Sequence, residues 1–286
     1  MRIAVIGARG QLGASIVHEA RKLDHDVVPF DRTLLDIEDD AAVREAMGRT
    51  RPDAIINCAG YNNVDAAESH PVAALRANAF AVRSLAHAAR DTGATLVQYS
   101  SDFVFDGRAS APMSEELPPN PLSAYAASKL LGEWFAAEAP AAYVLRVESL
   151  FGAAPGSTPK GSVAAIVNGL RAGHVVRVFR DRTVSPTYVE DASTATLSLL
   201  ERQSPTGLYH CVNSGSATWL EVAQEAARQL GVTPQFESIS VADVTLPAGR
   251  PQYCALSNAK LGAAIGRDLP AWQHALARYL GVPFDR

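Results

Sequence analysis

The sequence has few of the features that mark secreted, disulfide-bonded or metal-dependent proteins. Its three cysteines, Cys58, Cys211 and Cys254, are odd in number, far apart and in no CxxC arrangement. We interpret them as small core residues in a reducing compartment. The seven histidines lack the i, i+4 pairing and the carboxylate neighbours typical of zinc sites, so we expect no metal site.

Basic runs and long apolar runs are also missing. Basic residues number 26 and acidic residues 30, giving a net charge of −4, and no basic cluster of five or six residues occurs. We therefore expect no nucleic-acid partner and no anionic membrane surface. The apolar run near the N-terminus covers Ile3–Ile6, too short for a signal-peptide core or a membrane span, so we expect a cytoplasmic protein.

What the first half does contain is a regular alternation of short β-branched runs and longer alanine-rich stretches. This pattern predicts strands over 2–7, 26–30, 53–60, 95–101 and 142–150, and helices over 12–23, 41–50, 71–92 and 125–138. Apolar strands separated by single helices indicate a parallel sheet covered on both faces. The predicted fold class is α/β, a doubly wound parallel-sheet Rossmann fold.

The second half of the chain is less regular. A Gly-, Pro- and Ser-rich loop is predicted over 151–162, then helices over 163–172, 189–202, 219–231 and 271–281 and strands over 175–179 and 207–213. We predict a dinucleotide-binding core over 1–150, with sheet segments returning at about 176–214. Residues 151–175 and 215–286 are predicted to form a smaller C-terminal substrate-binding lobe.

A glycine-rich loop follows the first strand directly. In GARGQLG, Gly7, Gly10 and Gly13 are spaced as GxxGxxG. Such a turn lets backbone N–H groups approach a pyrophosphate, and the helix N-terminus adds positive partial charge. A tight turn without a ligand is the alternative. We predict that the loop binds a dinucleotide through six residues: Gly7, Arg9, Gly10, Gln11, Leu12 and Gly13.

The end of the second strand bears on the choice of dinucleotide. A carboxylate there favours NAD by accepting hydrogen bonds from ribose hydroxyls, whereas a cation pairs with the extra phosphate of NADP. This sequence has both, Asp31 and Arg32, so NADPH and NADH both stay open. Asp36 and Ile37 are expected to flank the adenine. The alternative is a helix N-cap region, which Asp39 and Asp40 also suit.

Three further segments bring polar groups to the carboxyl ends of strands, where ligands bind in such sheets. Ala59 and Gly60 end one predicted strand, Tyr61 follows it, and Ser100 and Ser101 end the next strand. All of these except Ser101 are expected to contact the cofactor. In YAASK, Tyr125 and Lys129 are four residues apart and share one helix face. A half-exposed helix with a packed Tyr and a snorkelling Lys is the alternative.

Ketone reduction requires these residue types. Hydride addition leaves negative charge on oxygen, so a proton donor must lie there. Tyr125 is the expected donor, with its pKa lowered by Lys129, which would also hydrogen-bond the nicotinamide ribose. Ser101 would hold the substrate oxygen, and the small residues between Tyr125 and Lys129 would leave room for cofactor and substrate.

Taken together, the motifs resemble the dTDP-4-dehydrorhamnose reductases, a family of extended short-chain dehydrogenase/reductases. The resemblance rests on GxxGQLG, NCAG, VDAAE, SSDFVFDG, YxxxK, SPTYVED, GLYHCVNSG and GRP, in consistent order from residue 1 to about 280. It implies reduction of the 4-keto group of a nucleotide-linked 6-deoxyhexulose by NADPH or NADH, the last step toward an activated L-rhamnose. It also implies that Asn62, Val64 and Asp102 face the sugar and that Arg250 lies in a loop near the nucleotide; capping or packing is the alternative for each.

One departure from the family pattern and two other functions stay open. Many relatives have a Trp shortly after the arginine that here is Arg146, where this chain reads RVESLF, which leaves the sugar open. A nucleotide-sugar epimerase or dehydratase with bound NAD is one alternative, although Phe103 follows Asp102 where dehydratases commonly have a second acid. A non-catalytic dinucleotide-binding regulatory subunit is the other. The fold is also compatible with a homodimer.

Overall fold

Six parallel strands form the main sheet of the protein. In the computed structural model, which describes residues 1–284, these strands are β1 (Arg2–Ile6), β2 (Asp26–Phe30), β3 (Ala54–Asn57), β4 (Thr95–Ser101), β5 (Ala142–Val147) and β10 (Gly207–His210). Their spatial order is β10-β5-β4-β3-β1-β2, and every pairing is parallel. The order reverses between β1 and β3, which confirms the doubly wound fold and places a ligand-binding crevice at that point.

Both faces of this sheet are covered, because alternate side chains of each strand pack on opposite sides. Ile3 and Val5 face a layer that contains helices α1 (Gln11–Lys22), α8 (Val189–Glu201) and α10 (Ala259–Ile265). Ala4 and Ile6 face a second layer with α2 (Asp40–Thr50), α5 (Ala81–Thr92) and α6 (Ala124–Ala136). The buried strands are therefore apolar on both sides, which explains their continuous hydrophobic runs.

A separate apolar cluster lies in the C-terminal half. Its helices are α7 (Ser162–Arg171), α9 (Trp219–Leu230) and α11 (Trp272–Leu280). Three short two-stranded sheets accompany them, formed by β6 (Leu150–Phe151) with β9 (Thr187–Tyr188), β8 (Thr183–Val184) with β11 (Ala217–Thr218), and β7 (Val175–Phe179) with β12 (Gln235–Ile239). None of the helices within residues 1–284 combines the length and apolar character needed to cross a membrane.

Several elements differ from the sequence-based expectations. The helix expected over 71–92 consists of α4 (Pro71–Leu75), a π-helical turn over Arg76–Phe80 and α5, and a further helix, α3 (Val64–Ser69), precedes it. Helix α10 and strand β12 were not predicted. Two strands were expected to return to the main sheet over 176–214. Among the described residues β10 does so, whereas β7 forms but pairs with β12 outside the main sheet. The division into two lobes stays a prediction, and Asp285 and Arg286 of the predicted lobe lie outside the described residues.

A buried ion pair attaches α6 to the sheet. Arg146 on β5 donates from Nε and Nη2 to the two carboxylate oxygens of Glu133 on α6, at 2.8 and 2.7 Å. The Ser100 hydroxyl on β4 donates to the same carboxylate at 2.5 Å. Both charged side chains are almost fully buried. Because the pair is bidentate, it fixes both the position and the orientation of the helix.

We expect Arg146→Met to lower the free energy of unfolding by about 3–5 kcal/mol, because it leaves the buried Glu133 carboxylate without its cation. Urea denaturation of the full chain measures this loss. The matched control is Arg177→Met, which removes an exposed ion pair to Glu237 of 3.2 Å and should cost at most about 1 kcal/mol. Equal losses in the two variants would contradict the anchoring role.

Candidate active site

A cleft of about 370 Å³ lies at the carboxyl ends of β1, β3, β4 and β5. It brings together residues from widely separated parts of the sequence. Its lining comprises Gly10, Gln11, Leu12, Cys58, Ala59, Asn62, Val64, Tyr99, Ser100, Ser101, Asp102, Phe103, Tyr125, Lys129, Val147, Glu148, Ser149 and Leu150. This is the crevice that the strand order predicts.

The glycine loop forms the wall of the cleft beside β1. Gly7 has φ +76°, and a Cβ there would lie 2.8 Å from the backbone nitrogen of Ala59. A Cβ on Gly13 would lie 2.3 Å from the Gly7 carbonyl oxygen. The first N–H groups of α1 have no intrahelical acceptor, and the N-cap, Gly10, contributes no side-chain hydrogen bond. The loop therefore fits a pyrophosphate, which such N–H groups bind.

Asp31 and its neighbours lie next to this loop, outside the cleft lining. The Asp31 carboxylate accepts hydrogen bonds from the Thr33 backbone and hydroxyl and pairs with Arg9 at 2.7 Å. The Thr33 hydrogen bonds, and then Arg9, hold the pKa of Asp31 below its ordinary value. Arg32 is exposed. The structure thus presents two cations, Arg9 and Arg32, and a carboxylate already engaged by Thr33.

Asp36 and Ile37, expected beside the adenine, have local roles in this structure. Exposed Asp36 accepts a hydrogen bond from the Glu38 backbone at 3.0 Å, and Ile37 packs against the hydrophobic core. Asp39 is the N-cap of α2, accepting from the Ala41 and Ala42 backbones. The capping alternative is therefore observed for this segment, and its contact with adenine stays a prediction.

Ser101, Tyr125 and Lys129 meet in the cleft, each about nine-tenths buried. Burial lowers the pKa of Lys129 to about 8. Burial and the nearby Asp102 charge raise the pKa of Tyr125, against a hydrogen bond from Ser101 that lowers it. The lowered tyrosine pKa expected from Lys129 is not found, because removal of the phenol from water dominates.

Asn78 is a buried residue of this region that the sequence analysis missed. It lies in the π-helical turn, accepts a hydrogen bond from the Tyr61 backbone at 2.8 Å and donates to the Tyr61 carbonyl and to Ser128. Ser128 thus faces Asn78, so it does not leave room for ligands as expected. A Cβ on Gly60 would lie 2.7 Å from Asn78 Oδ1 and 3.2 Å from Lys129 Nζ. Asn78 therefore positions the Gly60–Tyr61 segment against Lys129, and nothing in the sequence around it marked this role.

The residues implied to contact substrate divide into two groups. Asn62 and Val64 line the cleft, Asn62 being exposed. Arg250 does not line it; its guanidinium pairs with Asp65 on α3 at 2.8 Å, and the Ala248 backbone donates to the same carboxylate. This pair lowers the pKa of Asp65. Arg250 therefore joins its loop to α3 beside the cleft.

Asp102 lines the cleft together with a carboxyl group that sequence reasoning missed. Glu148, at the end of β5, has a ligand atom within 4.8 Å of those of Asp102 and Cys254, and all three are buried. Phe103 was taken as evidence that a second acid is missing beside Asp102. Phe103 does occupy the position after Asp102, but Glu148 brings a second acid to the cleft from another strand. Within residues 1–284 these three also form a cluster of potential metal ligands, where none was expected.

Comparison with known proteins identifies the family. Residues 1–282 match the profile of the family described as RmlD substrate binding domain. The chain belongs to this family. It is 34% identical over 282 residues to the dTDP-4-dehydrorhamnose reductase of Streptomyces griseus, covering 96% of this chain and 91% of that protein. The resemblance to dTDP-4-dehydrorhamnose reductases is thereby confirmed.

Two further relatives bear on the site. The chain is 34% identical over 279 residues to a probable dTDP-4,6-dihydroxy-2-methyloxan-3-one 4-ketoreductase of Streptomyces antibioticus, covering 96% of this chain and 93% of that protein. The crystal structure of dTDP-4-dehydrorhamnose reductase from Bacillus anthracis in complex with NADP aligns with a TM-score of 0.91 and 31% identity, covering 98% of each chain. The fold and nearly the full length are therefore shared with this reductase.

We expect the buried Lys129 ammonium to make stability depend on pH. Between about pH 8 and pH 10.5 the unfolded chain retains a proton that folded Lys129 has released, so the free energy of unfolding rises with pH through this window. Lys129→Met should lose this rise. Urea denaturation at a series of pH values measures the difference between variant and wild type, with exposed Lys160→Met as control. An unchanged pH dependence in Lys129→Met would contradict the lowered pKa.

Proposed function

We propose that this protein is an NAD(P)H-dependent reductase of the 4-keto group of a nucleotide-linked 6-deoxyhexulose. The observation that carries the proposal is the meeting of Ser101, Tyr125 and Lys129 in one cleft, beside the glycine loop and the N-terminus of α1. A proton donor, a hydroxyl for the substrate oxygen and a cation are thus next to a pyrophosphate-binding turn. Membership of the RmlD family supports the same activity.

The cleft residues fit the roles that ketone reduction needs. Bound there, NADPH or NADH supplies the hydride. The Tyr125 hydroxyl then donates its proton to the oxygen on which negative charge develops, and Ser101 holds that oxygen. Lys129, as a cation beside the site, stabilises the tyrosinate that forms. The raised pKa of Tyr125 keeps the phenol protonated until the oxygen becomes basic enough to take its proton.

The cofactor contacts proposed for this chain begin with the glycine loop. Gly7, Gly10 and Gly13 lack a Cβ, which allows the backbone segments of this loop to pack closely. Arg9, Gln11 and Leu12 complete the loop. Ala59 and Ser100 line the cleft, Gly60 and Tyr61 follow Ala59 in the chain, and all four are proposed to contact the cofactor. Exposed Arg32 and Arg9 suit the extra phosphate of NADPH, and the B. anthracis relative was solved with NADP. We propose NADPH as the preferred cofactor, with NADH also accepted through Asp31.

The substrate we propose is dTDP-4-dehydro-L-rhamnose, giving dTDP-L-rhamnose. The names of curated relatives support a dTDP-linked 4-keto sugar, and the S. antibioticus relative is named as a probable reductase of a different dTDP-linked sugar. Asn62, Val64 and Asp102 are the proposed contacts to the sugar. Arg250 is proposed to act on the sugar site through its ion pair with Asp65.

The Asp102–Glu148 pair favours one alternative, a nucleotide-sugar epimerase or dehydratase with bound NAD, because such reactions use an acid and a base in the cleft. A dehydratase or epimerase returns the hydride and consumes no NADPH. Absorbance at 340 nm with a nucleotide-linked 4-keto sugar therefore distinguishes the two. Steady NADPH oxidation supports the reductase, and conversion of the sugar without it would overturn that proposal.

We expect Tyr125→Phe to lower kcat by on the order of 10²-fold or more, because it removes the positioned proton donor. Dinucleotide affinity, measured by calorimetry, should stay near that of the wild type. Tyr279→Phe, on α11 against Phe151, is the control and should keep its activity. Full activity in Tyr125→Phe would contradict the mechanism.

We expect Arg32→Ala to lower kcat/KM for NADPH by about tenfold, the loss for one hydrogen bond to a charged group. The value for NADH should change little, since NADH lacks the phosphate. Both are measured at 340 nm with one keto sugar, with Arg49→Ala on the exposed face of α2 as control. Parallel losses for both cofactors would contradict the phosphate contact.

A further inference from the structure

An irregular segment, residues 152–161, connects β6 to α7 beside the cleft, and we call it the strap. Leu150, two residues before it, lines the same cleft as Gly10 and Gln11 of the glycine loop. Gly152 and Ala154 are buried, whereas residues 155–160 are exposed. The base of the strap is therefore packed against the protein, and its tip lies at the surface.

One side chain joins the strap to the glycine loop. Gln11, the first residue of α1, donates from Nε2 to the Gly152 carbonyl at 2.7 Å and to the Lys160 carbonyl at 3.4 Å. A carboxamide nitrogen carries two N–H groups, so Gln11 can serve both ends of the strap at once. Its backbone N–H is one of the first in α1 and has no acceptor within the helix. The side chain thus holds the strap beside the turn where the pyrophosphate is proposed to bind.

Few other interactions hold the exposed part of the strap. Among the described residues, the backbone of residues 154–160 makes one hydrogen bond besides that to Gln11. It runs within the strap, from the Ser157 N–H to the Ala154 carbonyl at 3.0 Å. A segment with so few contacts opens at low cost, and the hydrogen bonds from Gln11 make up a large part of that cost.

The two ends of the strap are fixed by glycines. Gly152 has φ +91°, and a Cβ there would lie 2.3 Å from the ring of Tyr188. Gly161, with φ +90°, is the N-cap of α7. Glycine adopts such positive φ values without steric cost. Because one end is packed on Tyr188 and the other begins a helix, the part that can move is the tip between them.

The side chain of Gln11 is engaged by the strap, which leaves its backbone to contact the cofactor. We propose, on the basis of the proposed reductase function, that the strap covers the bound dinucleotide and that Gln11 latches it shut. The cofactor then enters and leaves when Gln11 releases the strap carbonyls, so opening of the strap limits cofactor release. Gln11 is a positioning residue in this scheme, because its side chain acts through the strap and touches no reacting atom.

Limited trypsin digestion of the full chain without ligand tests the latch. Trypsin cleaves after lysine, and Lys160 is exposed in the strap, so the rate of this cut, followed by mass spectrometry of the fragments, reports strap opening. We expect Gln11→Met to raise the rate by about tenfold, the combined effect of the two hydrogen bonds that it removes. The control, Gln229→Met, removes an amide that donates to the Gln273 carbonyl at 3.0 Å and should leave the rate unchanged. Equal rates in Gln11→Met and the wild type would overturn the latch.

Cofactor release tests whether the strap covers the dinucleotide. Saturating NADPH should slow the cut after Lys160 in the wild type. The rate constant of NADPH release, measured by stopped-flow fluorescence, should rise about tenfold in Gln11→Met and stay unchanged in Gln229→Met. The single-turnover rate of hydride transfer at saturating NADPH should not change, because the latch acts on cofactor exchange alone.

Three results would overturn the covering role of the strap. The first is a cut after Lys160 that NADPH does not slow, and the second is equal NADPH release from Gln11→Met and the wild type. The third is a loss of hydride transfer as large as the gain in release, because it would show that the substitution acts on the glycine loop itself.

These results are distinct from a failure of the proposed function. If NADPH binds and slows the cut but no keto sugar oxidises it, the reductase assignment fails and the strap over the dinucleotide stands. If a keto sugar oxidises NADPH while Gln11→Met changes neither the cut nor the release, the reductase stands and the latch is overturned.

Discussion

The buried ion pair between Glu133 and Arg146 is the contact on which the candidate site depends. It joins α6, which carries Tyr125 and Lys129, to β5, and the Ser100 hydroxyl adds β4 to the same network. Two turns of helix separate Glu133 from Tyr125, so the pair sets where the phenol lies relative to the strand ends. The Arg146 guanidinium also stacks on Phe105, 4.8 Å from the ring centre. A buried pair this well bonded contributes specificity of position, because any other register of the helix would leave both charges unpaired.

Close backbone contacts are the second constraint on the cleft. A Cβ on Gly132 would lie 2.1 Å from the Asn78 carbonyl oxygen, so α6 can lie against the π-helical turn only because this residue is glycine. Gly60 and Gly13 allow equally close contacts at the other two walls. The same small residues therefore hold the proposed proton donor, the strand end and the glycine turn within one cleft.

The sequence predicted most of the fold because the relevant signals are local. Strands buried on both faces must be apolar throughout, and helices between them need one apolar face, so both patterns can be recognised residue by residue. GxxGxxG and YxxxK are equally local, and the cleft does contain Gly10, Tyr125 and Lys129. Asn78 and Glu148 had no such signal. Each reaches the site through a contact with a residue distant in sequence, and nothing in its own neighbourhood distinguishes it from an ordinary core or loop residue.

The sequence by itself thus determined the α/β class, the glycine turn after β1 and the RmlD-family motifs, since each depends on spacing within one segment. The tertiary structure decided which charges meet. Phe103 follows Asp102 in the chain, yet the acid beside Asp102 is Glu148, because β4 and β5 pair in register and end at the same edge of the sheet. The structure also decided the pKa directions, since the burial that lowers that of Lys129 and raises that of Tyr125 exists only in the folded cleft.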